Sequence, residues 1–572
     1  MGIYVNPNNA NFQRSLNSSI YVDKSMLIAE INRLVNTEKC FVCVSRSRRF
    51  GKTMAGNMLS AYFSKGCDSR EQFANLKIAK DPSFEKYLNK LNVIKLDVNA
   101  FYSKYGPNAD LVALFSASIR TELKAAFPSV LIPDDEPLAG CLEKIYAFTN
   151  EQFVVIIDEY DVLVRERVSE SVFKSYLNFL NAMFKNDNLA PAIALAYITG
   201  ILPIVRDKVQ SKLNVFDEYT MQDSWSLAQF VGFTTDEVQA LCNEYGMDFE
   251  ACKRWYDGYN INGIETYSPE SIVSAMRRKY FQSYWTQTGS YEALKDFILM
   301  DFEGILQDVK TMIGGGRVDV NVNSYLNTMT DFHSKHDVFT YLVHLGYLAY
   351  DRKEQQCYIP NREVRDQWIL SVQQSPDYKG LMELVNASKE LVESTIECDA
   401  SAVAEALNKS HEQICNNLNY NNEGTFQSVI CLAYFYANLK YTIVKEMPNR
   451  REMHRQACLS VYPSRQASRS AQMPAGKGVA DVVMIPYVPN TPALIIELKR
   501  NACEMTALTQ IRQKNYGSAL EKYSGDLLFV GVNYDEKTKE HRCVIEKFVK
   551  WCLINIIGDA RQFSHALLHV PH

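Results

Sequence analysis

The segment Ser45-Arg46-Ser47-Arg48-Arg49-Phe50-Gly51-Lys52-Thr53 ends in the Gly-Lys-Thr of a Walker A loop. In such a loop Gly51 admits close backbone approach and Lys52 reaches the β- and γ-phosphates. The Thr53 hydroxyl can ligate Mg²⁺, and a helix opening near Thr53 adds N–H groups that no helical carbonyl uses. Arg48 and Arg49 would add positive charge beside the phosphates. Arg46 stands where the pattern expects its first glycine, so for this loop alone a merely basic surface turn is the alternative.

A second element narrows the choice. Phe153-Val154-Val155-Ile156-Ile157-Asp158-Glu159 is an apolar strand ending in two acids, the form of a Walker B strand. Asp158 would hold Mg²⁺ through water and Glu159 would polarise the attacking water. Acids at a strand end also cap helices, which is the plainer reading. The next apolar strand ends in Thr199-Gly200, where a sensor of the γ-phosphate would sit. Loop, acidic strand and polar-ended strand follow the layout of additional-strand P-loop ATPases, with ATP and Mg²⁺ as cofactors.

A further constellation lies near the other end. Val479-Ala480-Asp481-Val482-Val483 and Ile495-Ile496-Glu497-Leu498-Lys499 read as strands separated by a segment holding Pro486, Pro489, Asn490 and Pro492. An antiparallel hairpin centred on Pro489 sets Asp481 opposite Glu497, with Cβ atoms about 4.5–5.5 Å apart. Lys499 shares their face because strand side chains alternate. Two carboxylates and a lysine so arranged could hold Mg²⁺ and orient water against a phosphodiester. A solvated cross-strand pair is the alternative.

These groups need elements to position them. The strand candidates 39–45, 92–98, 153–158 and 192–199 are near-continuously apolar, as parallel strands covered on both faces are, and helical patterns fill the gaps. Residues 234–415 read as mainly helical. From 416 onward a helix, three strands, a helix over 504–520 and a strand at 526–533 give the order αβββαβ. The expected domains are therefore 1–233, 234–415 and 416–572.

Composition sets the class. A chain of 572 residues exceeds one core, and 47% hydrophobic with 22% charged residues is ordinary for a globular protein. A net charge of −5 leaves any polyanion surface local. Lys445, Arg450, Arg451, Arg455, Arg465, Arg469 and Lys477 against Glu446 and Glu452 supply one candidate, equally readable as solvated loop. The apolar run 189–205 is broken by Pro191, Thr199, Gly200 and Pro203, so no membrane span is expected. The 14 cysteines are scattered and no signal peptide opens the chain, which points to reduced thiols and a cytoplasmic location.

Tyr21-Val22-Asp23-Lys24, Arg48-Arg49-Phe50-Gly51-Lys52-Thr53 and Ile157-Asp158-Glu159-Tyr160-Asp161 together resemble the AAA-ATPase-like family. Trp255-Tyr256-Asp257-Gly258-Tyr259 and Tyr284-Trp285-Thr286-Gln287-Thr288-Gly289 are similar to motifs further along it. The resemblance covers roughly residues 15–290. It implies ATP binding, an arginine-rich phosphate loop, and a C-terminal PD-(D/E)XK, restriction-endonuclease-like nuclease domain. By a separate resemblance to the PD-(D/E)XK nucleases, which covers about 416–535, Gln510 of Gln510-Ile511-Arg512-Gln513-Lys514-Asn515-Tyr516 lies near the nuclease centre and Glu423 completes its metal site.

The implied function is an ATP-binding, ATP-hydrolysing protein coupled to a Mg²⁺-dependent nuclease, with DNA favoured over RNA as partner and homo-oligomerisation open. The alternative is a nucleotide-dependent switch or scaffold whose nuclease-like domain only binds nucleic acid or a protein.

Overall fold

The computed structural model describes residues 2–166, 168–204, 214–285, 302, 304–323, 325, 332–373, 379–414, 430, 433–434, 436–437, 441–448, 479–486, 491–514 and 525–548. The chain divides into two compact units, one of Met1–Met312 with Arg317–Ser371, the other of Ile313–Gly316 with Val372–His572. The larger discontinuity thus falls near residue 371, inside the span 234–415 read as one helical region.

In the first unit β1 (Phe41–Ser45), β2 (Asn92–Asp97), β3 (Phe153–Asp158), β4 (Ile193–Gly200) and β5 (Asp217–Tyr219) form one parallel sheet in the order β2-β3-β4-β1-β5. β4 stands between β1, which leads into the phosphate loop, and β3, which ends in the acids. It is the additional strand expected from the sequence. The helices Leu111–Ala126, Leu138–Thr149 and Glu170–Phe184 bury one face with Leu96, Val155, Ile157 and Ile198. The helix Lys52–Phe63 packs on the other, its Gly56 standing an ordinary contact from Ile156. Double coverage is why these strands are continuously apolar.

The first unit also holds two three-stranded sheets that the sequence did not announce. β6 (Phe233–Thr234), β7 (Tyr259–Ile261) and β8 (Ile264–Tyr267) make one; β9 (Val318–Asp319), β10 (Ala349–Asp351) and β11 (Gln356–Tyr358) make the other. Runs of two to four residues are too short to display a period of two. Gly258, at φ 107°, lies so close to the Pro360 carbonyl that no Cβ would fit, which explains the glycine of the Trp255–Tyr259 motif.

The second unit is built on β12 (Tyr441–Pro448), β13 (Val479–Pro486), β14 (Ala493–Arg500), β15 (Leu527–Asp535) and β16 (Glu540–Phe548), in sequential order. Neighbours are antiparallel except β14 and β15, which run parallel and are joined through the helix Glu504–Lys514. Alternation divides the sheet cleanly. Val482, Met484, Leu494, Ile496, Leu498, Val530 and Val532 face a core shared with the helices Lys379–Ile396 and Ala400–Ile414. Val483, Ala493, Ile495, Leu527 and Phe529 face Leu508 and Ile511 of the helix Glu504–Lys514. Among the described residues no helix is long and apolar enough to cross a membrane.

Candidate functional site

Gly51, at φ 91°, ends the phosphate loop in a left-handed conformation with open space beyond it, so backbone geometry alone demands glycine. The helix Lys52–Phe63 begins directly after it. Arg49 is also left-handed, at φ 69°, and Arg48 is exposed. The Phe50 ring meets Tyr259 edge-on at 5.5 Å and would be 3.1 Å from a Cβ at Gly232, which fixes the loop from its far side.

Lys52 is buried, and its Nζ donates to the carbonyls of Arg46 at 2.9 Å and Ser47 at 3.1 Å. Burial pulls its ammonium below the ordinary lysine range, with Glu159, Asp158 and Asp161 opposing. Arg46 answers the missing glycine. Its guanidinium is fully buried and donates to the carbonyls of Ser45, Tyr219 and Thr220, at 2.7 Å for the last, so it braces the loop against the segment after β5. Burial lowers its pKa to about 10.

Asp158 closes β3 and accepts a hydrogen bond from the Thr199 hydroxyl at the end of β4. That bond joins the two strand-end residues expected from the sequence. Glu159 has φ 52°, and its Oε2 lies 2.6 Å from Arg165 Nη2, while Arg165 Nε lies 3.0 Å from Asp161. Burial raises the Glu159 carboxyl.

Two cavities meet at Thr53. One, of about 590 Å³, is bordered by Arg49, Gly51, Lys52, Thr53 and Glu159, then by Ile20, Val22, Met58 and Phe233. A lining that combines basic and hydroxyl groups with apolar side chains could take a nucleotide. The second, of about 430 Å³, is bordered by Thr53, Asn57, Lys95, Asp97 and Asp158. Lys95 and Asp97 were not singled out in the sequence, although both interrupt an otherwise apolar strand.

The buried carboxylate of Glu363 holds the Tyr284-Trp285 motif. Oε1 accepts the N–H groups of Tyr284 at 2.6 Å and Trp285 at 2.8 Å, and Oε2 accepts the Ser271 hydroxyl at 2.8 Å. Burial raises its pKa to about 7. Its contribution to stability is therefore full below the unfolded value near 4.5 and is lost as pH rises through about 7. Glu363→Gln keeps the acceptor and removes the charge, so above pH 7 the variant is expected to be more stable by up to about 3 kcal/mol. Thermal melts from pH 5 to 8 check this: the wild-type midpoint falls relative to the variant across that window.

In the second unit β13 and β14 pair Val482 with Ile496, Val483 with Ile495 and Met484 with Leu494. One step further in this register sets Asp481 across from Glu497, and Asp481 Oδ2 accepts the Leu498 N–H at 2.7 Å. Glu497 is 1% exposed; its Oε1 receives Lys499 Nζ at 3.0 Å and the Gln510 amide. Asp481, Glu497, Lys499 and Gln510 thus gather where the sheet meets the helix Glu504–Lys514. Gly531, paired with Glu497, makes the approach of that helix possible: a Cβ there would lie 2.8 Å from the Glu504 carbonyl and 3.0 Å from Ala507 Cβ. Glu423, residues 286–289 and most of the basic segment 445–477 lie outside the described residues.

The donors at Asp481 and Glu497 are oxygens, the set a hard cation prefers. Among the described residues no three His, Cys, Asp or Glu converge on one point. Two carboxylates suit Mg²⁺, which keeps much of its water.

A curated relative from Azotobacter chroococcum mcd 1, an uncharacterized protein in the vnfD 5′ region, is 24% identical over 164 residues, 27% of this chain and 31% of its own. The match thus spans about a third of that relative's length. Among solved structures, the Aeropyrum pernix ORC2 protein in ADPNP–ADP complexes aligns at 11% identity over 64% of this chain and 93% of its own, TM-score 0.28. AMPPCP-bound DnaA from Aquifex aeolicus aligns at 10% identity over 64% and 92%, TM-score 0.25. The fold assignment rests on strand order rather than on these likenesses. Residues 10–210, which hold the phosphate loop, the acidic strand and the additional strand, match the family described as AAA-ATPase_like, predicted AAA-ATPase.

Proposed function

We propose that the chain binds and hydrolyses ATP in its first unit and cleaves phosphodiester bonds with Mg²⁺ in its second, in DNA rather than RNA. The ATP reading is supported by the parallel order β2-β3-β4-β1-β5, which brings the end of β1 and the ends of β3 and β4 to one sheet edge. Lys52 would contact the β- and γ-phosphates, and Thr53 and Asp158 would hold Mg²⁺. Thr199, bonded to Asp158, would report the γ-phosphate to that acid.

The nuclease reading is carried by one observation, the register pairing Val482 with Ile496, which, extended by one step, brings Asp481 toward Glu497, with Lys499 and Gln510 bonded to Glu497. Asp481 and Glu497 would hold Mg²⁺, which supplies charge to polarise the scissile phosphate. Lys499 would orient the attacking water and stabilise the hydroxide it becomes. Gln510 would fix the Glu497 carboxylate through its amide.

The test is cleavage of labelled DNA and RNA by the whole chain, with Mg²⁺ and with or without ATP. Mg²⁺-dependent cleavage of DNA that changes with ATP is expected. Binding without cleavage under any divalent metal would instead favour a nucleotide-dependent switch or scaffold, and faster cleavage of RNA would overturn the choice of DNA.

A further inference from the structure

The strand-end acids of the first unit do not share one cavity. Glu159, the acid expected to polarise water, borders the cavity suited to the nucleotide, where Arg165 Nη2 stands 2.6 Å from it. Asp97 borders the other cavity, together with Thr53 and Asp158, the two residues placed to hold Mg²⁺. β2 and β3 run parallel in a register that pairs Asp97 with Asp158, so both carboxylates leave the sheet at the same edge. Lys95, two residues earlier and therefore on the same face, bonds Asn57 one turn beyond Thr53 on the helix Lys52–Phe63.

We propose that Asp97 is a catalytic carboxylate of ATP hydrolysis, orienting the attacking water from the second cavity with Lys95 as its cationic neighbour. The proposal rests on the ATP reading and transfers to Asp97 the role expected of Glu159. The water oxygen bonds to the γ-phosphorus as the bond from that phosphorus to the β,γ-bridging oxygen breaks. ADP leaves with the electron pair on that oxygen. The proton of the water passes to Asp97 and from there to solvent.

Asp97 also has an architectural duty, which the experiment must separate. Its Oδ1 accepts the Ala100 N–H at 3.0 Å and caps the helix Val98–Tyr105. Asparagine caps helices as well as aspartate does, so Asp97→Asn retains the cap and loses the base. On the whole chain, ATP turnover is expected to fall roughly a hundredfold, in the range of lost general-base catalysis. The dissociation constant for a non-hydrolysable ATP analogue is expected within twofold of wild type. Glu159→Gln is expected to slow turnover less. Turnover of Asp97→Asn within threefold of wild type overturns the proposal and leaves the ATP reading intact. Wild-type protein that binds ATP without hydrolysing it also overturns it. Wild-type protein that binds no ATP sinks the underlying reading as well.

Discussion

Mg²⁺-dependent DNA cleavage is expected to fall about a thousandfold or more in Glu497→Ala, because losing a metal carboxylate removes several kcal/mol of transition-state stabilisation. Asp481→Ala is expected to match it, since on the proposed reading both acids would hold one ion. The two need not destabilise the fold equally. Glu497 is buried and receives both Lys499 and Gln510, so its removal leaves two partly buried donors without their acceptor. Asp481 is partly exposed. Glu497→Gln, which preserves volume, separates loss of chemistry from loss of structure. Measured by release of labelled fragments, wild-type rates in Asp481→Ala with an intact melting profile would remove the nuclease assignment.

The second large effect concerns Lys52. Lys52→Ala is expected to weaken ATP binding roughly 10- to 100-fold, the worth of a charge-assisted hydrogen bond of about 1.5–3 kcal/mol. The amine sits at the centre of the loop, against the carbonyls of Arg46 and Ser47, and borders the nucleotide cavity. Equilibrium titration with a fluorescent ATP analogue checks it. Unchanged affinity would deny Lys52 any role in holding phosphate.

The sequence made the regular periodic elements readable. The continuously apolar strands of the first unit announced a doubly covered parallel sheet, and the acids at the end of β3 marked the edge where chemistry would sit. The hairpin of the second unit was legible because a turn rich in proline fixed its centre, and register then followed from geometry. What stayed hidden is non-local. Glu363 lies about eighty residues from the Tyr284 and Trp285 N–H groups it accepts, and nothing in either segment alone marks the pair. Arg46 looked like a defect in a glycine pattern until its guanidinium proved to be a brace on Tyr219 and Thr220. Asp97 was not singled out, and the structure gives it the ordinary duty of a strand-end acid, capping the helix Val98–Tyr105. The β-strands between 259 and 358 are too short for any pattern to declare them.

Gly531 has a consequence for how this protein could be tuned. It works as a missing spacer: with no side chain to intervene, the helix Glu504–Lys514 settles onto the sheet and carries Gln510 to Glu497. A single methyl at that position would act like a shim, pushing the helix backbone at Glu504 away from the sheet while leaving the pairing of β13 with β14 untouched. Gly531→Ala is therefore expected to dim cleavage by degrees rather than extinguish it, with metal affinity nearly unchanged. Residue 531 would be a dial on rate.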